Sequence, residues 1–194
     1  MRQTIAAVRM LLVLTVITGV AYPAVVWAVG RVAFAEQAEG SFTEREGVVV
    51  ASTMIGQHYS GDAWFHGRPS AGRYDALASG GSNLGPENTE LVASIEQRRA
   101  QVAARESVGP SDVPVDAVTA SASGLDPFIS EEYAALQMPR VAAARDLGET
   151  EVEHLVADAT SGRTLGFLGQ PRVNVVELNL ALAAAPTTTG GARD

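Results

Sequence analysis

Five oxygen-bearing side chains, Asp116, Thr119, Ser121, Ser123 and Asp126, fall within eleven residues, beside Gly124 and the pair Asp126-Pro127. Oxygens gathered in this way are the ligand type of a hard cation, and equally the groups that cap turns and satisfy backbone donors. The spacing departs from the twelve-residue calcium loop, which wants Gly at its sixth position and Glu at its twelfth, so turn capping is the preferred reading. A second stretch, Ser79-Gly80-Gly81-Ser82-Asn83, presents successive backbone N–H groups on small residues, suited to a phosphate nest or to a plain turn. His58, His66 and His154 are scattered without metal-ligand spacing and read as structural or exposed. No G-x-S-x-G elbow is present to expose a serine nucleophile.

The basic residues narrow the chemistry further. All fourteen are arginine. A Walker A loop needs a lysine to reach the β- and γ-phosphates, so this chain contains none, and the Asp-Lys-Thr-Gly phosphorylation site of ion pumps is excluded on the same ground. ATP-driven work involving this chain would be performed by another. Residues 32–194 carry all 22 acids against eleven arginines, a balance that makes the domain a poor candidate for binding nucleic acid. With no cysteine, disulfides and thiolate metal sites are excluded as well.

The elements that must position these groups begin with a membrane segment. Between Arg9 and Arg31 lie 21 uncharged residues, Met10 to Gly30, enough as a helix to cross the roughly 30 Å of a bilayer core. Tyr22 and Trp27 sit toward the distal interface, and Pro23 should kink that end slightly. The stretch exceeds the 7–15-residue apolar core of a secretory signal, so an uncleaved anchor is preferred over a cleaved leader. Arg2 and Arg9 favour a cytoplasmic stub over residues 1–9, with Arg31 weighing the other way; residues beyond the span then face outward.

After a connector over 31–46, residues 47–185 read as one mixed α/β (α+β) domain, and 186–194 as a disordered tail. Val48 to Ala51 is expected as a short buried strand, and 56–86 as loop, since no period of 2 or 3.6 survives there. Pro86 opens a helix to about Glu106, with Leu91, Ile95 and Val102 inward and Arg98, Arg99 and Arg105 on wet faces. Val113, Val115 and Val118 suggest a brief extended piece. Ser130 reads as a helix N-cap, Pro139 as a break or kink before Arg145, and Thr150 with Glu153 as a capping box. From Asn174 to Leu182 either a helix or a strand fits the apolar pattern.

Several runs then stand in a recognisable order: Gly56-Gln57, Arg68-Pro69-Ser70-Ala71, Ser79 through Pro86, Asp116 through Pro127, Gln137 with Arg140-Val141-Ala142, and Phe167-Leu168-Gly169 with Arg172-Val173-Asn174. In these the chain resembles the C subunit of the Kdp potassium-transporting P-type ATPase, from the N-terminal helix to about Leu182. The resemblance implies a bacterial inner- or plasma-membrane complex in which a channel-like subunit binds potassium and a P-type subunit hydrolyses ATP. This chain would be a non-catalytic accessory that assists assembly and serves as a catalytic chaperone, raising the pump's affinity for ATP in a ternary complex without binding any cofactor tightly. Ser79, Gly80, Gly81 and Ser82 then become the nucleotide or partner loop. Arg68, Pro69, Ser70, Asn83, Asp116, Thr119, Ser121, Ser123, Asp126, Gln137, Arg140 and Asn174 become partner-facing or structural residues. The alternative is a membrane-anchored extracytoplasmic enzyme or solute-binding protein built on Asp116–Asp126.

Overall fold

The computed structural model describes residues 1–185, and the expected tail 186–194 lies outside the described residues. The chain divides into two compact units, Met1–Val50 and Ala51 onward.

The first unit is dominated by one helical rod, Arg2–Ala33, long and apolar enough to cross a membrane. It comprises α1 (Arg2–Val16), a wide turn over Ile17–Ala21, and α2 (Tyr22–Ala33). The helix therefore begins at Arg2, within the expected stub of residues 1–9. The wide turn is the accommodation of Pro23. That residue has no N–H, its ring would press on the Gly19 carbonyl, and an i→i−5 turn that lets Tyr22 N–H reach Ile17 O relieves both problems. The whole circumference from Arg2 to Val29 is uncovered, so its apolar side chains require an environment other than water. The expected connector carries structure of its own: α3 (Ala35–Ala38) and β1 (Phe42–Arg45), which pairs with β2 (Val48–Ser52). The β2 strand forms where expected, but Val48, Val49 and Val50 are exposed and only Ala51 and Ser52 are buried.

The second unit packs helices around a small antiparallel sheet. Central β5 (Arg172–Asn174) is flanked by β3 (Phe128–Ile129) and β4 (Thr160–Ser161), with Val173 opposite both Ile129 and Thr160. α4 (Thr89–Glu106) starts three residues later than Pro86 suggests, because Asn88 caps it, its Oδ1 accepting from Glu90 N at 2.9 Å and Leu91 N at 3.2 Å. After a 3-10 turn (Pro110–Asp112), Val113 and Pro114 are extended as expected, but Val115–Val118 is instead the single-turn α5, which buries Ala117 and Val118.

α6 (Glu131–Arg145) is capped by Ser130, whose Oγ accepts from Tyr133 N at 3.0 Å, and it passes through Pro139 unbroken. Buried Tyr133 and Ala134 on one side of the proline and Val141 and Ala142 on the other hold the helix against the core, outweighing the lost hydrogen bond. α7 (Glu149–Asp158) is capped by Gly148 and not by Thr150, since the Gly148 carbonyl already accepts from Val152 N at 3.1 Å. At α8 (Val175–Ala184) the helix prevails over the strand. Val175, Val176, Leu178, Asn179 and Leu182 all turn inward, a 3.6-residue stripe beneath Asn174, which caps Val176 N at 3.0 Å and Glu177 N at 3.3 Å. Phe65, Val118, Val141, Val152, Val173, Leu178 and Leu182 form the heart of the core.

Candidate functional site

The long segment between β2 and α4 has no helix or strand, yet it supplies Phe65, which is fully buried in the core. A buried loop must pair its backbone, and this one does so with side chains. Five consecutive carbonyls accept hydrogen bonds from α6 and α8. Asp62 O accepts from Arg140, Ala63 O from Arg145 Nε at 2.7 Å, Trp64 O from Arg140 Nη1 at 3.0 Å, Phe65 O from Asn179 Nδ2 at 2.9 Å, and His66 O from Gln137 Nε2 at 3.1 Å. The amide oxygens return the favour, Asn179 Oδ1 accepting from Phe65 N at 3.0 Å and Gln137 Oε1 from His66 N at 2.8 Å. Two side-chain amides thus reproduce the pairing that a neighbouring strand would give. Arg140 is itself held by Glu106 at 2.9 Å, with side-chain exposures of 9% and 1%, and Asn174 Nδ2 fixes the loop's beginning through Thr53 O at 2.9 Å.

Further along, three segments fold into one knot. Ser121 N donates to Pro69 O at 3.1 Å and Gly80 N to Ser123 O at 2.8 Å. The Ser70 hydroxyl donates to Gly124 O at 2.7 Å, and that of Ser79 to Ser123 O at 3.0 Å. Arg68 Nη1 meets Asp126 Oδ2 at 3.2 Å. Gly124 is required twice over: its φ is +67°, and a Cβ there would lie 2.8 Å from Gly80 O. Gly56 is as tightly placed, since a Cβ would meet Asp126 O at 2.6 Å.

The five oxygens between Asp116 and Asp126 are all engaged within the chain. Asp116 accepts from Ser130 N at 2.7 Å and Ser130 Oγ at 2.9 Å. The Thr119 hydroxyl donates to Val115 O at 2.8 Å; Ser121 and Ser123 accept from Gly124 N at 2.9 Å and Leu125 N at 3.1 Å. Asp126 Oδ1 accepts from Phe128 N at 3.0 Å. This is the turn and cap chemistry that the sequence reading preferred, and it lends no support to the alternative of a ligand or enzyme site on these residues. The phosphate-nest reading of Ser79–Asn83 loses its Gly80 N–H to Ser123, while Ser82 and Asn83 stay exposed.

Beside the knot, a cleft of about 470 Å³ lies between the 57–74 segment and α4. Tyr74 and Tyr133 line it, both pushed up to about 12, first by burial and then by the nearby carboxylates of Asp126 and Glu106 respectively, so both remain protonated. His66 is pushed down to about 4, with burial the leading cause and Arg105, Arg140 and His58 adding to it. Its Nε2 lies 3.0 Å from Gly61 O and its Nδ1 2.6 Å from Arg105 Nη1, which assigns the neutral ring's proton to Nε2. Arg98, Arg105, Asn179 and Tyr74 carry much of this arrangement, and the sequence reading did not mark them as site residues. Asn179 had a signal: it is the one amide inside an apolar run, and a buried amide must find partners. Among the described residues, Arg68 Nε is the one buried side-chain polar atom without a partner, which costs roughly 1–3 kcal/mol.

The sequence places this architecture among known proteins. The family model for KdpC, described as K+-transporting ATPase, c chain, matches residues 4–184, from the apolar rod to the end of α8. A potassium-transporting ATPase KdpC subunit of Kineococcus radiotolerans is 52% identical across 95% of this chain and 95% of its own. The protein of that name from Mycobacterium tuberculosis is 51% identical across 93% of this chain and 97% of its own. That from Bradyrhizobium diazoefficiens is 46% identical across 95% and 98%. With both units spanned end to end by such likeness, the chain belongs to the KdpC family, the c chains of K+-transporting ATPases.

Proposed function

We propose that this chain is the non-catalytic accessory subunit of an ATP-driven potassium pump, tethered by Arg2–Ala33 and presenting the knot of Arg68–Ser70, Ser79–Gly81 and Ser121–Asp126 to its partners. Those partners are a channel-like potassium-binding subunit and a P-type subunit that hydrolyses ATP. The observation that carries the reading is the family match covering both units, and the internal engagement of the five side chains Asp116, Thr119, Ser121, Ser123 and Asp126 accords with it. Residues used this way shape the surface of the knot. Arg2 and Arg9 ahead of the apolar span favour a cytoplasmic N-terminus and an extracytoplasmic domain. The bilayer then separates that domain from cytoplasmic ATP, so assembly is its primary role, and no tightly bound cofactor belongs to this reading. ATP contact, in a ternary complex with the hydrolysing subunit, is the secondary role that the family likeness suggests.

Affinity purification of the full chain from native membranes in mild detergent tests the partnership. The expected result is co-purification of a many-helix channel-like subunit and a P-type ATPase subunit. Recovery of the chain alone under conditions that keep other membrane complexes intact would overturn it.

A further inference from the structure

We infer that the cleft between the 57–74 segment and α4 binds a small multivalent oxyanion, either inorganic phosphate or the phosphoryl group of a larger molecule. The inference rests on charge placement and does not depend on the pump partnership. Beyond residue 31 the chain has twice as many acids as arginines, yet four of those eleven arginines, Arg68, Arg73, Arg98 and Arg105, line this cleft and no carboxylate does. Arg68 is compensated by Asp126 at 3.2 Å, but Arg73, Arg98 and Arg105 have no carboxylate partner among the described residues, and a bound anion relieves the repulsion among them.

Their donors are also largely uncommitted. A guanidinium carries five N–H groups. Within the chain, Arg98 uses Nη1 on Val118 O at 3.1 Å, and Arg105 uses Nη1 on His66 Nδ1 at 2.6 Å. Arg73 makes no side-chain hydrogen bond or ion pair among the described residues. Arg68 is the exception, since its Nη1 pairs with Asp126 Oδ2 at 3.2 Å, its Nη2 faces Thr119 O at 3.4 Å and its Nε is buried, so Arg73, Arg98 and Arg105 supply the free donors.

The helix supplies the alignment. Arg98 and Arg105 are seven residues apart, hence on one face of α4 and about 10.5 Å apart along it, with Gln101 and Val102 between them on the same stripe. A space of about 470 Å³ is the size of a small-molecule pocket and is concave, which favours a compact anion over a flat protein face. The planar fork of arginine matches phosphate geometry.

The test uses the full chain in detergent micelles, titrated with inorganic phosphate in chloride buffer and followed by calorimetry and ³¹P NMR. Saturable phosphate binding is expected, weakened about tenfold or more by Arg98→Gln and by Arg73→Gln, since each removes a charged hydrogen bond. Arg73→Gln should leave the thermal unfolding midpoint unchanged, because that side chain holds nothing in the fold, so its loss of binding cannot be ascribed to unfolding. Titration with glycerol 3-phosphate separates the sources: tighter binding of the ester supports a phosphorylated molecule, and tighter binding of phosphate supports the free ion. Absence of saturable binding of either probe, or binding indifferent to both substitutions, would overturn the inference. So would variants that bind no less phosphate but fall out of the purified complex, which would make the cleft a dock for a partner's carboxylates.

Discussion

Asn179 and Phe65 stand 114 residues apart in sequence and close a ring of two hydrogen bonds, Phe65 N to Asn179 Oδ1 at 3.0 Å and Asn179 Nδ2 to Phe65 O at 2.9 Å. Both residues are buried, so no water competes for these groups. One helix side chain fixes the middle of a loop that has no secondary structure to fix itself. Asn179→Leu keeps the volume and leaves a buried donor and a buried acceptor unpaired, which should cost about 2–4 kcal/mol. Chemical denaturation of the full chain in detergent would show it as a lower midpoint; a change within error would mean the loop is held by packing alone.

The Arg140–Glu106 pair makes a related prediction. Arg140→Met strands a buried carboxylate and removes the donor from Asp62 O and Trp64 O, so a loss of about 3–5 kcal/mol is expected. Adding Glu106→Gln to that variant should recover part of the loss, because the unpaired charge is gone. A double-mutant cycle measures the recovery, and strictly additive losses would argue against direct coupling.

Acid should weaken the fold through His66. Its ring has an ordinary value of 6.5 when unfolded and about 4 when folded, chiefly through burial. Between those values the unfolded chain binds a proton that the folded chain refuses, so stability present above 6.5 is lost as pH falls toward about 4. The charges of Arg105, Arg140 and His58 act in the same direction, while the Gly61 carbonyl opposes them. Unfolding midpoints measured across this window should slope less steeply in His66→Gln than in the parent. Equal slopes would remove His66 from the account.

Much of this fold is legible in the sequence wherever local chemistry decides it. Ser130 announces the start of α6, the apolar stretch around Met10–Gly30 announces the rod, and 56–86 reads correctly as loop because no period organises it. Where tertiary packing decides, the sequence misleads. Pro139 should interrupt a helix, but the core on both sides of it does not yield; Thr150 satisfies a capping pattern that Gly148 has already pre-empted. Of the marked site residues, Arg68, Pro69, Ser70, Ser79, Gly80 and Ser121–Asp126 converge in one knot, and Gln137 and Arg140 work elsewhere, under the Asp62–His66 backbone. Arg145 escapes notice because its partners, Ala63 O and Leu182 O, are backbone carbonyls, which leave no trace in residue type.

The knot itself should be sensitive to bulk at its centre. Gly124→Ala forces a Cβ toward Gly80 O at a φ of +67°, and strain of roughly 1–3 kcal/mol is expected. On the proposed role its larger effect is on assembly, seen as reduced recovery of partner subunits on pull-down with the N-terminal anchor unaffected. Full recovery with a merely lowered melting point would confine the knot to folding.

Reconstitution addresses the central claim most directly: potassium-stimulated ATP hydrolysis by the purified channel-like and P-type subunits, titrated with ATP in the presence and absence of this full chain. The account predicts no hydrolysis by the chain alone and a stable, fully active pump only when it is present. A lowered ATP concentration at half-maximal activity would add a chaperone role to assembly, and an unchanged one would leave assembly alone. Turnover by the isolated chain, or pump activity indifferent to its removal, would contradict the account.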